Sequence, residues 1–180
     1  DRKAIKWLRN NNIPVFCSHQ DSEYLKKKGL KVQVLDKHKT NDFLNGQVTL
    51  VPCVHGTGLV GKLMAHGYGF VITLPGEPIL YLSGDTILTP TVQKIIQSQQ
   101  PEVIVIPAGG AQFDLGGEII MGLEEALKVG ELATGMVVAN HLEALDHCPV
   151  SRDQLQDEIK KRLWQQRFLI PKDGESIHFS

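Results

Sequence analysis

The chain has 180 residues, 42% of them hydrophobic and 22% charged, which places it in the range of one globular domain able to bury a core. With 19 Lys and Arg against 20 Asp and Glu, its net charge of −1 gives no broad attraction to nucleic acid or to an anionic membrane and favours work on a small molecule. Cys17, Cys53 and Cys148 are too few for a disulfide framework, and no run of about 18 apolar residues marks a membrane span, so a cytoplasmic protein is expected.

Ile5, Trp7 and Leu8 in RKAIKWLRN predict a short amphipathic helix that stops at Asn10-Asn11-Asn12, ahead of a strand in IPVFC. Asp21 is the expected N-cap of a helix through SEYLKKK, Gly29 its left-handed stop, and KVQVL the returning strand. VTLVPCV, YGFVITL and ILYLS follow with only Gly- and Pro-rich turns between them, which predicts consecutive antiparallel pairing. Thr89-Pro90 opens a helix through TVQKIIQSQQ, since proline suits the first helical position and the threonine hydroxyl caps free amides. EVIVIP reads as a buried strand, IIMGLEEALKVGELA as a helix and MVVAN as another buried strand. Ser151 and Gln154 have capping-box spacing ahead of Leu155, Ile159 and Leu163, and RFLIPKDGESIHF predicts two closing strands about a Lys172-Asp173-Gly174 turn. This alternation predicts an α/β layered fold with a mixed sheet, and neither a repeat nor a linker divides residues 1–180.

His55, Asp85 and His141 each stand where a predicted strand runs out, in VTLVPCVHG, ILYLSGDT and MVVANH. Taken singly each is ordinary turn chemistry; together, two imidazoles and a carboxylate at strand ends make half of a metal site suited to zinc, manganese or iron. His147, in a loop ahead of a capped helix, is a candidate proton donor to a leaving group, and His66 a weaker one. Ala108-Gly109-Gly110 is either an anion nest or a tight turn. Cys53 reads as a small buried hydrophobe, Cys148 has no cysteine partner at zinc-knuckle spacing, and His19, His38 and His178 sit in no motif and are assigned no role. Gly56 to Lys62 matches the first seven positions of a phosphate-binding P-loop, but the eighth is Leu63, which offers magnesium no hydroxyl, and the glycine-rich run beyond it is a poor helix.

The stretches HGTGLVGKLMAHGYGF, LYLSGDT, VIVIPAGGAQF and NHLEALDHC resemble the metallo-β-lactamase superfamily, most closely its cytoplasmic metal-dependent hydrolases, the group that includes the ascorbate-phosphate lactonases. The resemblance covers nearly the whole chain and implies the C-terminal two-thirds of an αββα sandwich with mixed sheets. It implies that His55, Asp85 and His141 are metal ligands, with Asp85 bridging two divalent ions, zinc or manganese, and water activated between them. An ester, lactone, amide or phosphodiester of a small molecule would be cleaved. Glu143 and Asp146 are near enough in sequence to be candidates for the hydrogen-bond partners of the ligating histidines. The family's His-x-His-x-Asp-His motif is absent from these residues. That absence gives the expectation of a single domain lacking its N-terminal segment and inactive alone, with exposed strand edges that promote pairing with a second copy. A catalytically silent fragment or non-enzymatic binding module is the alternative from another class, and a P-loop-like nucleotide-binding protein a more distant one.

Overall fold

β-branched runs too short for helices pair into two sheets, and the helices between them cover one side. The computed structural model describes every residue except 59, 60, 62, 63, 65, 113–116, 144–146 and 180. Helix α1 (Arg2–Asn10) is capped by Asp1, whose carboxylate accepts from the amides of Lys3 and Ala4. Strand β1 (Pro14–Ser18), helix α2 (His19–Lys27) and strand β2 (Lys31–Leu35) form a βαβ unit in which β1 and β2 pair in parallel. A seven-stranded sheet follows, in the order β3-β4-β5-β6-β7-β8-β9: β3 (Asn41–Phe43), β4 (Gly46–Pro52), β5 (Tyr68–Thr73), β6 (Leu80–Leu82), β7 (Val103–Pro107), β8 (Met136–Asn140) and β9 (Phe168–Leu169). Helices α3 (Pro90–Gln99), α4 (Leu123–Leu132) and α5 (Arg152–Lys161) alternate with its later strands.

The pairing is antiparallel from β3 through β6 and parallel from β6 through β9, so the expected mixed sheet is observed. Alternation along each strand sends side chains to two different layers. Val51, Tyr81, Ile104 and Val137 meet Val92 and Ile96 of α3, Leu127 of α4, and Leu155 and Ile159 of α5. Val48 and Leu50 turn the other way, toward Leu35 and Phe16 of the βαβ unit. Ile104 is completely buried in the helix-covered layer. Ile104→Ala is expected to lower unfolding free energy by about 2–5 kcal/mol in a urea titration; a loss under about 1 kcal/mol would show that this layer is not close-packed.

The helix starts at Thr89 and Ser151 are as expected: each hydroxyl accepts an amide three residues on, from Val92 and Gln154. Other expectations fail for identifiable reasons. The helix expected from Ile119 begins only at Leu123, because the backbone of Met121 is already engaged with two other loops, its amide by Thr86 and its carbonyl by Gly110. Asp21 is not a cap; the helix starts at His19 after Ser18, and Asp21 lies in its first turn, where a carboxylate still favours the helix dipole. The tail forms only the short strand β9: the turn at Gly174 is present, but residues 172–176 are exposed and have no strand partner. The β3–β4 hairpin has no counterpart in the sequence reading, since NDF is too short and polar to carry an alternating signal.

Candidate metal centre

β5 is antiparallel to both β4 and β6, so β4 runs in the same direction as β6, β7 and β8. The segments leaving those four strands therefore emerge along one edge of the sheet. His55 follows β4, Asp85 follows β6, Ala108-Gly109-Gly110 follows β7, and His141 follows β8 directly. Parallel strands with ligand-bearing loops at their carboxyl ends are a recurrent placement for binding sites.

These loops are joined by hydrogen bonds that skip strands. The amide of Val54 donates to the Thr86 hydroxyl at 3.0 Å, and the amide of Ile87 donates to the Val54 carbonyl at 3.0 Å, which ties the His55 segment to the Asp85 segment. Thr86 is fully buried, and its carbonyl accepts from Met121, whose own carbonyl accepts from Gly110. Ala108 donates to the Asn140 carbonyl at 3.0 Å, Val150 to the Gly109 carbonyl at 3.1 Å, and Gln112 to the His147 carbonyl at 3.0 Å. Each loop is thus held by a neighbour.

His55 and His141 are half-buried and Asp85 is exposed. His141 has φ of +56°, a left-handed conformation uncommon for a residue with a Cβ and a form of local strain that collects at functional positions. Its Nδ1 lies 3.6 Å from the Cys148 sulfur. Burial first, and then the negative charge of Asp85, pushes the Cys53 thiol up to about 11, so this cysteine stays protonated and donates to the Ser83 carbonyl at 3.1 Å. Gly84, with φ of +68°, leaves room for that sulfur, since a Cβ there would stand 3.1 Å from it. Among the described residues, no three His, Cys, Asp or Glu side chains stand close enough together to hold a metal ion. The three residues share an edge without a preassembled cluster of ligands.

Exposed His66 lies on the loop entering β5, and its Nε2 is 3.1 and 3.2 Å from the two carboxylate oxygens of Asp21. This pairing of residues 45 positions apart has no signature in the sequence. His147 is exposed in a turn beside the loop after β7. Glu143 does not serve His141: it pairs with Arg152, accepting from its amide at 2.7 Å and its guanidinium at 2.9 Å. Asp146 lies outside the described residues, as do Lys62 and Leu63 of the P-loop-like pattern. The described part of that pattern shows Gly61 donating to Thr57 at 3.1 Å, as in a helical turn.

No family model matches the chain. YddR of Bacillus subtilis strain 168, described as a UPF0173 protein, is 34% identical over 173 residues, covering 93% of this chain and 67% of YddR. Further bacterial and archaeal relatives are described as UPF0173 metal-dependent hydrolases, and the chain spans 67–76% of the length of these curated relatives. Among solved structures, an isothiocyanate hydrolase from Delia radicum gut bacteria superposes with a TM-score of 0.85 at 28% identity, over 94% of this chain and 68% of that one. The metallo-β-lactamase fold protein YhfI of Bacillus subtilis superposes with a TM-score of 0.68 at 15% identity, over 96% of this chain and 68% of that one, and carries the fold alone. With the mixed sheet and layered helices already described, these likenesses agree on one assignment: the chain belongs to the UPF0173 family and is a metal-dependent hydrolase on the metallo-β-lactamase fold.

Proposed function

We propose that His55, Asp85 and His141 are the metal ligands contributed by this chain, that the ion is zinc or manganese, and that the substrate is a small molecule with a hydrolysable ester, lactone, amide or phosphodiester. The observation supporting this most directly is the run of bonds along one sheet edge, from Val54 to Thr86 to Met121 to Gly110, with Ala108 bonded to the residue before His141. Two imidazoles and a carboxylate are an appropriate donor set for a borderline divalent ion. When bound there, such an ion supplies Lewis acidity and lowers the pKa of water.

The protein's own groups have distinct tasks in this reading. Cys148 occupies Nδ1 of His141, which leaves Nε2 as the ligating nitrogen. Asp85, exposed at the end of a glycine-permitted turn, offers two oxygens. His66, paired with Asp21, and His147 are the groups we assign to moving a proton at the leaving-group atom, as a carboxylate-oriented imidazole does in other hydrolases. The three free cysteines suit a reducing, cytoplasmic setting. The isothiocyanate hydrolase likeness adds a second substrate reading, since an isothiocyanate carbon is also an electrophile for water.

Zinc or manganese should raise the melting temperature, metal at 100 times its Kd stabilising the folded state by about 2.7 kcal/mol. His55→Ala and His141→Ala should each weaken that response, with affinity falling about tenfold or more. Identical metal-induced shifts in wild type and both variants would show that the metal binds elsewhere.

A further inference from the structure

His19 and His38 lack any sequence motif, yet both face a groove of ≈ 470 Å³ between α2 and the turn after β2, together with Gln20, Asp36, Lys37 and Tyr68. That volume is within the range of small-molecule sites. Its lining carries one lysine and one aspartate, and the difference between them lies in their partners. The nearby carboxylates are already engaged: Asp21 accepts from the Ser18 hydroxyl at 2.6 Å and faces His66, while Asp36 accepts from the His38 amide at 2.9 Å and has Lys39 at 3.9 Å. By contrast, the side chains of Lys37, His19 and His38 make no hydrogen bond or ion pair with any described residue. The amide of Gln20 adds N–H donors, its oxygen accepting from Tyr68 at 3.4 Å.

Tyr68 connects this groove to the candidate metal edge. Its side chain lines the groove, and its backbone carbonyl would lie 3.1 Å from a Cβ on Gly84, the residue before Asp85. Tyr68 is therefore shared by the groove, through its side chain, and by the backbone next to Asp85.

We propose that the groove binds the anionic end of the substrate, a carboxylate or phosphoryl group. Lys37 supplies the charge and His19, His38 and Gln20 the hydrogen-bond donors. The role of that anion as part of a substrate rests on the metal-edge reading above; the binding itself does not. A bound anion would replace water at these exposed donors and fix the substrate's orientation before chemistry.

The test uses the whole chain, freed of metal with a chelator and followed by NMR at the histidine imidazoles. Titration with inorganic phosphate, acetate and uncharged glycerol should move the His19 and His38 signals with one or both anions and not with glycerol. Response to phosphate alone assigns a phosphoryl group, and response to acetate alone a carboxylate. Lys37→Ala should weaken anion binding about tenfold, the effect of losing one charge-assisted contact, while the zinc-induced rise in melting temperature stays at the wild-type value. In turnover assays the same variant should lower the preference for an anionic ester over its uncharged analogue. Groove signals that ignore both anions, or anion affinity unchanged in Lys37→Ala, would overturn the proposal. Anion binding that persists in a protein whose zinc response is insensitive to His55→Ala and His141→Ala would support the groove and remove the metal assignment, so the two failures are distinguishable.

Discussion

In a protein with the full length of its relatives, Asp85→Ala is expected to abolish hydrolysis and leave the fold standing. Asp85 is exposed just beyond β6, with no hydrogen bond to a described residue, so its loss is expected to change stability by no more than about 0.5 kcal/mol, the ordinary range for a surface substitution. Its chemical task is different. In the proposed site it is the only carboxylate among the three ligands, so alanine removes both the charge that balances the cation and the oxygens that hold it. A loss of about 4 kcal/mol in transition-state stabilisation corresponds to about a thousandfold in kcat/KM. The check is kcat/KM on esters, lactones, phosphodiesters and an isothiocyanate, alongside the melting temperature. Turnover within about tenfold of wild type at an unchanged melting temperature would remove Asp85 from the reaction.

The three proposed ligands were visible in the sequence because apolar, β-branched runs end at each of them, and the sheet's direction then puts those ends on one edge. Periodicity reports strands and their ends, but it carries no information about which loops touch. For that reason Asp21 reads as a helix cap in the sequence and is a partner of His66 in the structure. Cys148 reads only as a cysteine without a partner at zinc-knuckle spacing and is the group at His141 Nδ1, while Glu143 reads as a candidate histidine partner and is engaged by Arg152. The groove residues were invisible for the same reason. His19 begins one helix and Lys37 and His38 lie in a turn from another part of the βαβ unit, and only folding places them together. The tail failed differently: residues 172–176 are exposed and pair with no strand although β9 is a sheet edge, so propensity without burial did not make a strand.

Gly109 gives the sharpest connection between packing and the proposed chemistry. A Cβ at this position would collide with the His141 carbonyl oxygen and stand 3.1 and 3.2 Å from the Cβ and sulfur of Cys148. The backbone around it has little freedom to move away, because Ala108 donates to Asn140 on one side and Val150 donates to the Gly109 carbonyl on the other. Gly109→Ala must therefore displace the His141–Cys148 loop. Overpacking of this kind costs about 1–3 kcal/mol, and a collision with backbone rather than a flexible side chain places this case near the upper end. For a chain of this size that corresponds to a fall in melting temperature of about 4–12 °C. Because the displaced residue is a proposed ligand, zinc affinity should fall with it by about tenfold or more. Gly117→Ala is the matched control: among the described residues its Cβ would meet only the Thr57 hydroxyl oxygen, at 3.9 Å, and both measurements should stay at wild-type values. If Gly109→Ala lost stability and still bound zinc as wild type does, His141 would be part of the packing of this edge and not one of its ligands.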